Sequence, residues 1–343
     1  MATIKDVARR AGVSTATVSH VINSTRVVSP ATREQVLAAI DELNYRPSAV
    51  ARGLTTNSTK TIGVVISDIM SPFFASLLHE LESLLSKQNY NLFVCNTYEE
   101  VEREAHNLEL LLDKRVDGVI ITPTGHNQPV YSYFNQLGIP LVFIDRKPNN
   151  VVGSFVGVDN YRASYEVVNY LLSLGHRRIG LVSLVPQTSA VVARLTGYRE
   201  ALTGFGLDFD ASLMKSSDFQ IKNAVAAAQE LLTLSERPSA IIASSHVATL
   251  GTLQALLSLD MRYPDDVSLV CFDNSRWTNL IQPALTVVTK PIQEMALIAV
   301  DTMLDALDHA EKQRKSYEEL EKFATTDILM ESTLIVRESC RPI

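Results

Sequence analysis

Apolar side chains recur every three or four residues at the start of the chain. They fall at Ile4, Val7, Ala8 and Ala11, then beyond Gly12-Val13-Ser14 at Val18, Val21 and Ile22, and beyond Ser29-Pro30 at Val36, Ile40 and Leu43. This spacing predicts three short amphipathic helices, the first two joined by a glycine turn. Ser14 is placed to cap the second helix, because its hydroxyl can accept from the free N–H groups of the next turn, and Ser29-Pro30 reads as cap and first-turn proline of the third. From residue 61 the pattern changes. Short β-rich runs (TIGVVIS, NLFVCN, DGVIIT, PLVFID, FVGVD, RIGLVSL, AIIASS, VSLVCFD) alternate with helical stretches near 72–87, 101–115, 162–174, 190–203, 223–234 and 248–257. That alternation predicts parallel sheets covered on both faces. The fold class expected is α/β, an all-α helix-turn-helix headpiece followed by a body with parallel sheets. Ile62-Gly63-Val64-Val65 and Ile179-Gly180-Leu181-Val182 form a weak repeat 117 residues apart, each opening a strand-loop-helix unit. Two such units exceed one comfortable core, so two subdomains are expected.

The second helix presents Thr15, Ala16, Thr17, Ser19, His20 and Asn23, short or uncharged side chains able to approach base edges. Charge supports the same reading. Residues 1–60 carry eight basic and four acidic side chains, a balance of +4 on a chain whose net charge is −7. A basic terminal module on an acidic body suits phosphate binding at one end only. After the headpiece, Arg46-Pro47-Ser48 is expected to end the third helix, and SAVARGL restarts a helical pattern too short to be stable alone. Leu54, at its end, is either a linker leucine touching the next domain or a wedge that enters the minor groove and unstacks a base step. The expected division is a headpiece over 1–47, a hinge helix and linker over 48–60, and an effector-binding and dimerisation body over 61–343.

Composition narrows the classes. No run of 18 apolar residues is present, which argues against a membrane span, and the polar first helix leaves no room for a signal peptide. Cys95, Cys271 and Cys340 are dispersed and odd in number, as expected of reduced thiols in a cytoplasm. No nucleophile elbow, Walker loop, C-x-x-C or H-E-x-x-H occurs, and the histidines do not cluster at ligand spacing, so neither enzyme, metal nor cofactor is expected. His176-Arg177-Arg178 reads as a solvated helix end whose cations suit the helix dipole.

The stretch ATIKDVARRAGVSTATVSHVINSTRVVSPATREQVLAAIDELNYRPSAVARGL resembles the headpiece and hinge of the LacI/GalR family of bacterial transcription regulators, most closely its purine-repressor branch. The likeness continues through VDGVIITP, PLVFIDR, GVDNYRAS, LLSLGHRRIGLV, ARLTGYREAL, YPDDVSLVCFDN, PALTVVTKP and LIVRES. It implies a periplasmic-binding-protein-like body with three crossovers, an N-subdomain of about 61–160 and 291–323, and a C-subdomain of about 161–290 and 324–343. It also implies a cytoplasmic homodimer, or a tetramer, on palindromic operator DNA. The DNA-contacting set expected is Thr15, Ala16, Thr17, His20, Asn23, Arg26, Ala51, Leu54 and Thr55.

Ligands of open α/β sheets bind beyond the carboxyl ends of the strands. This selects Asp68, Asp145-Arg146, Asp159-Asn160, Ser245-His246 and Asp273-Asn274. Each of these taken alone is equally well a helix cap or a surface turn. By resemblance, Arg194 reaches the effector's oxygens, Asp273 accepts from its hydroxyls, Phe219 is an aromatic platform, and Phe73 and Phe74 stand at the mouth, although a Phe pair at a helix start also suits a core. Trp277 either stacks on a ligand or packs between subdomains. Two departures bear on the effector: Ser245-His246 replaces the Asn-Asp of many sugar-responsive members, and Thr188 stands where purine-responsive members place an arginine. The expected effector is therefore a hydroxyl-rich small molecule, a sugar, sugar acid or derivative. The competing reading is a cytosolic sugar-binding protein or enzyme of similar fold with an accessory headpiece.

Overall fold

The computed structural model describes residues 2–23, 26–46, 58–185, 188–316 and 325–343. The side chain of Asn23 and the segment 48–56, with Ala51, Leu54 and Thr55, lie outside the described residues. The chain divides into two compact units, residues 1–59 and 60–343.

The first unit is built from α1 (Ile4–Arg10), α2 (Thr15–Asn23) and α3 (Pro30–Glu42). Thr3 and Asp6 cap α1 reciprocally. Ser14 Oγ accepts from the Thr17 amide at 3.1 Å, and Ser29 Oγ from the Thr32 amide at 3.3 Å. Gly12, at φ +67°, makes the turn between α1 and α2, a conformation that is cheap only without a Cβ. Val7, Ala8, Val18, Val21, Val36 and Ala39 form the core, flanked by Ile4, Ala11, Ile22, Ile40 and Leu43. Arg10 ties α1 to α3 through Glu42 at 2.6 Å. The third helix stops at Glu42, short of the expected Arg46, because Asn44 turns left-handed at φ 45° and the Tyr45 amide bonds back to Ile40.

The second unit holds two six-stranded sheets. The first contains β1 (Thr61–Ile66), β2 (Asn91–Asn96), β3 (Gly118–Ile121), β4 (Leu141–Ile144), β5 (Ser154–Val158) and β11 (Asp327–Met330), in the order β11-β5-β4-β3-β1-β2 and wholly parallel. The second contains β6 (Ile179–Leu184), β7 (Met214–Ser217), β8 (Ala240–Ala243), β9 (Ser268–Cys271), β10 (Thr286–Thr289) and β12 (Thr333–Ile335), in the order β12-β10-β9-β8-β6-β7, with β12 antiparallel. The repeated Ile-Gly strands β1 and β6 occupy the same place, second from one edge of each sheet.

Helices cover both faces, as the continuous apolar strands require. On the first sheet α4 (Pro72–Lys87) and α11 (Ile292–Ser316) bury one face, while α5 (Val101–Asp113) and α6 (Gln128–Gln136) bury the other. On the second, α7 (Asn160–Ser173) and α8 (Ser189–Gly204) oppose α9 (Ile221–Leu232) and α10 (His246–Ser258). The chain passes between the sheets after β5, after β10 and between β11 and β12. The last crossing corrects the expected boundary at 324: β11 pairs with β5, so residues 327–330 belong to the first sheet.

Two further corrections concern polarity. The edge strand β7 (MKSS) is polar and carries no apolar pattern to be read in advance, and the helix α6, although amphipathic with Tyr131 and Phe134 buried, is a further element absent from the sequence expectations. His176 is fully buried, not solvated, with Nδ1 on the Ser239 hydroxyl at 2.9 Å. Arg177 does cap the preceding helix as expected of a cation there, donating to Leu172 and His176 carbonyls at 3.0 Å.

Candidate functional site

The carboxyl ends of both sheets meet at one cleft of about 720 Å³. Its walls come from the residues that follow β1 (Asp68), β4 (Asp145, Arg146), β5 (Asn160), β8 (Ser245, His246), β9 (Asp273) and β10 (Lys290), with Thr188 and Arg194 from the start of α8. The volume lies in the range usual for small-molecule sites. Phe73, Phe219 and Trp277 supply aromatic surface, and Phe219 is exposed there. Phe74, on α4, belongs mainly to the core, buried with Phe73 against it edge-on.

Most of the charges are already paired. Arg146 donates twice to Glu99, at 2.6 and 2.7 Å, and both side chains are nine-tenths buried. Burial works against that guanidinium, and Glu99 overrides it, holding its pKa above the ordinary value. Lys290 donates to Asp145 and rests over the Phe73 ring at 4.0 Å. Burial opposes the Asp145 charge, yet Lys290 and Arg146 hold its carboxyl below the usual range. Asp145 and Glu99 both have left-handed backbone, at φ 68° and 63°, an arrangement that costs energy and aims each carboxylate at its partner.

Across the cleft, Asp273 accepts from His246 Nδ1 at 2.6 Å and from the Ser275 amide and hydroxyl at 3.0 and 2.5 Å. Burial opposes its ionisation, but the His246 and Ser275 hydrogen bonds keep its carboxyl low. An ionised carboxylate only accepts, so the His246 proton sits on Nδ1 and Nε2 is the ring nitrogen left for other partners. Arg194 donates through Nε to Asn160 at 2.8 Å and through a terminal nitrogen to the Ser244 carbonyl, with its plane over Phe272. Burial pulls its pKa down to about 10.

Of the residues expected at the effector site, Asp68, Phe73, Phe74, Asp145, Arg146, Arg194, Phe219, Ser245, His246, Asp273 and Trp277 line this cleft. Asp159 does not. Its carboxylate accepts from the Arg162 amide at 2.9 Å as N-cap of α7, and its neighbour Asn160 takes the place in the cleft. Lys290 and Glu99 were missed. Lys290 follows a strand end, but TVVT was not read as a strand, and Glu99 reaches the site only through Arg146.

In the headpiece, Thr15 and Ala16 are exposed, whereas Thr17, Ser19 and His20 are half-buried, a correction to their expected exposure, and Thr17 shares its hydroxyl with Ser14 at 2.9 Å. Thr17, His20 and Arg26 line a shallow groove with Ser29 and Thr32 at the starts of α2 and α3. Among the described residues no group of three or more His, Cys, Asp or Glu is placed to hold a metal ion, and no helix is long and apolar enough to cross a membrane. Burial pushes the Cys271 thiol up and the Cys340 thiol up to about 11, so neither is poised as a nucleophile.

A turn-linked helical headpiece on the same chain as a two-sheet body with a polar cleft is the build of a ligand-responsive bacterial transcription regulator rather than an enzyme. The chain belongs to the LacI family of bacterial regulatory proteins: residues 3–48 match the family's DNA-binding domain, and residues 59–323 match the periplasmic binding proteins and sugar binding domain of that family. It is 34% identical, over the full length of both chains, to the HTH-type transcriptional repressor PurR of Haemophilus influenzae (strain PittEE). A solved complex of the transcriptional regulator CelR with cellobiose is 30% identical, with a TM-score of 0.71, covering 99% of this chain and all of that one. The Lac repressor dimer bound to operator and an anti-inducer shares the fold, with a TM-score of 0.82 at 23% identity over 99% of each chain.

Proposed function

We propose that this regulator is a repressor that binds a two-fold-symmetric operator in the cytoplasm as a homodimer, and that a polyhydroxylated small molecule in the cleft sets its operator affinity. Thr15, Ala16 and His20 read bases in the major groove, Thr17 fixes the start of the recognition helix, and Arg26 serves the phosphate backbone. Leu54 acts as the minor-groove wedge, with Ala51 and Thr55 beside it. The observation that carries the effector class is the alternation of donors and acceptors around the cleft, with Arg194, Asn160, His246 and Asp273 on one side and Asp145, Arg146 and Lys290 on the other. Vicinal hydroxyls bond to such a ring in pairs while an exposed aromatic such as Phe219 covers the apolar face of a sugar.

The relatives point two ways, since repressors named PurR are similar along the whole chain and CelR is held with cellobiose. Thr188 favours the sugar side. Its hydroxyl is buried at the cleft without a hydrogen-bond partner, where a ligand oxygen would satisfy it. Calorimetry of the purified protein against hypoxanthine, guanine and a panel of sugars and sugar acids tests the reading. Saturable binding of a sugar or sugar acid that changes operator affinity is expected. Tight binding of a purine base and none of the panel would reject it.

A further inference from the structure

We propose that the effector is at least two sugar rings long, a disaccharide or longer glycan seated between two separate aromatic platforms. The proposal rests on the cleft being the effector site and adds the length of the ligand. Along the wall formed by the second sheet, aromatic surface stands at the two ends and polar side chains lie between. Phe219 follows the edge strand β7, and its loop is fixed by Asp218, which accepts from the Gln220 amide and the Asn223 side chain, both at 2.8 Å. Trp277 and Leu280 follow β9, within and just after the short 3₁₀ turn Arg276–Asn279. That turn is held toward β10 and away from β7: the Leu285 amide donates to the Thr278 carbonyl at 3.0 Å, and Arg337 donates to the Thr278 hydroxyl at 3.2 Å. In the order β9-β8-β6-β7 the two parent strands stand three spacings apart, about 14 Å. A single pyranose ring spans little more than one spacing, so it reaches one platform at a time.

Each platform has polar neighbours of the kind a sugar ring needs. Thr188, after β6, stands toward the Phe219 end, and its hydroxyl is buried without a hydrogen-bond partner. His246, after β8, stands toward the Trp277 end, where exposed Arg276 adds guanidinium donors. A ring stacked by its C–H face on an aromatic side chain turns its hydroxyls to the rim, where such groups donate and accept. Leu280 is 76% exposed on the cleft wall, and Phe219 is 41% exposed. Apolar surface left open at both ends of one cleft gains from being covered, and a ligand of two rings covers both where a single ring covers one. The cleft volume, about 720 Å³, is likewise more than one ring fills.

Trp277 is the chain's only tryptophan and lines the cleft, so its fluorescence reports occupancy of that end. The full chain is titrated, by calorimetry and by this emission, with glucose, galactose and fructose, with maltose, cellobiose, lactose, melibiose, trehalose and sucrose, and with phenyl β-glucoside, hypoxanthine and guanine. At least one disaccharide should shift the emission and bind about tenfold or more tightly than either of its component sugars. Trp277→Ala and Phe219→Ala, read by calorimetry, should each pull that ratio toward one. Leu280→Ser, at an exposed position outside the core, should do the same and serves as the check should Trp277→Ala melt early. Single sugars binding as tightly as every disaccharide, or a ratio unchanged in all three variants, would overturn the two-platform site while leaving a sugar-responsive cleft in place. Preference for phenyl β-glucoside, with no disaccharide above its component sugars, would give the second platform to an aromatic group and overturn the glycan. Purine binding with no response to any sugar would overturn the cleft reading itself, and no binding across the whole panel at millimolar concentration would remove both.

Discussion

At the scale of single residues the cleft is a set of desolvated ion pairs, each with a definite partner. Glu99→Gln removes the counter-charge of a nine-tenths-buried Arg146. Breaking one side of a buried pair costs about 3–5 kcal/mol. The urea midpoint should fall accordingly, and Glu99→Gln combined with Arg146→Met should recover much of the loss. An unchanged midpoint in the single variant would show that the pair is not buried in solution. The carboxylates also predict a pH dependence. Asp145 and Asp273 have folded-state pKa values below the ordinary carboxylate range. The unfolded chain therefore binds more protons near pH 4, and their contribution is complete above the unfolded value of about 3.9 and lost as pH falls through the folded values. Unfolding midpoints measured from neutral pH down to about pH 3 should decline more steeply for the native chain than for Asp145→Asn.

At the scale of elements, function depends on how closely helices approach. Helices α7 and α8 cross at Gly197, where a Cβ would stand 2.2 Å from the Tyr161 carbonyl oxygen. Backbone cannot yield as a flexible side chain does, so Gly197→Ala should force the helices apart at a cost of about 1–3 kcal/mol. Because α8 also carries Arg194, the same variant should weaken effector binding, and calorimetry beside urea unfolding reads both. In the recognition helix α2, His20 lines the groove with Arg26 while Thr15 and Ala16 stand exposed one turn earlier. His20→Ala should change which half-site is preferred, by about 1–3 kcal/mol per lost contact. Selection from randomised operators tests this, and an unchanged consensus with uniformly weaker binding would move His20 to a purely structural role.

At the scale of the whole molecule, the proposal requires two protomers, because a two-fold operator is read by a two-fold protein. Exposed Ile69 and Met70, just before the start of α4, offer apolar surface for such a contact. Sedimentation at micromolar concentration should give a dimer, and a monomer with and without operator would exclude this mode of binding. Effector and operator should then affect one another reciprocally, with a coupling of about 1–3 kcal/mol, roughly 5–150-fold in affinity. Leu54→Ala should lower operator affinity and leave effector binding without DNA unchanged, as gel shift and calorimetry can compare.

The sequence by itself determined the local and periodic features. Val7, Val18, Val21 and Val36 fell on a 3.6-residue period and form the headpiece core, and Ser14 and Ser29 were legible as caps because capping is settled within one turn. The eight apolar runs became strands for a similar reason: a strand buried on both faces must be apolar throughout, which holds for all of them but the edge strand β2. Strand ends, in turn, located the cleft. The tertiary structure decided everything that depends on partners distant in sequence. Asp159 and Asn160 are adjacent in the chain, yet one caps a helix and the other holds Arg194, and only the backbone path after β5 separates these roles. Glu99 and Lys290 became part of the site because folding brings them to Arg146 and Asp145, 47 and 145 residues away. The pairing of β11 with the first sheet was likewise set by an edge hydrogen-bond ladder and not by its own composition. Charge at the cleft follows from those pairings, because what a buried ion presents to a ligand depends on which of its partners have already neutralised it.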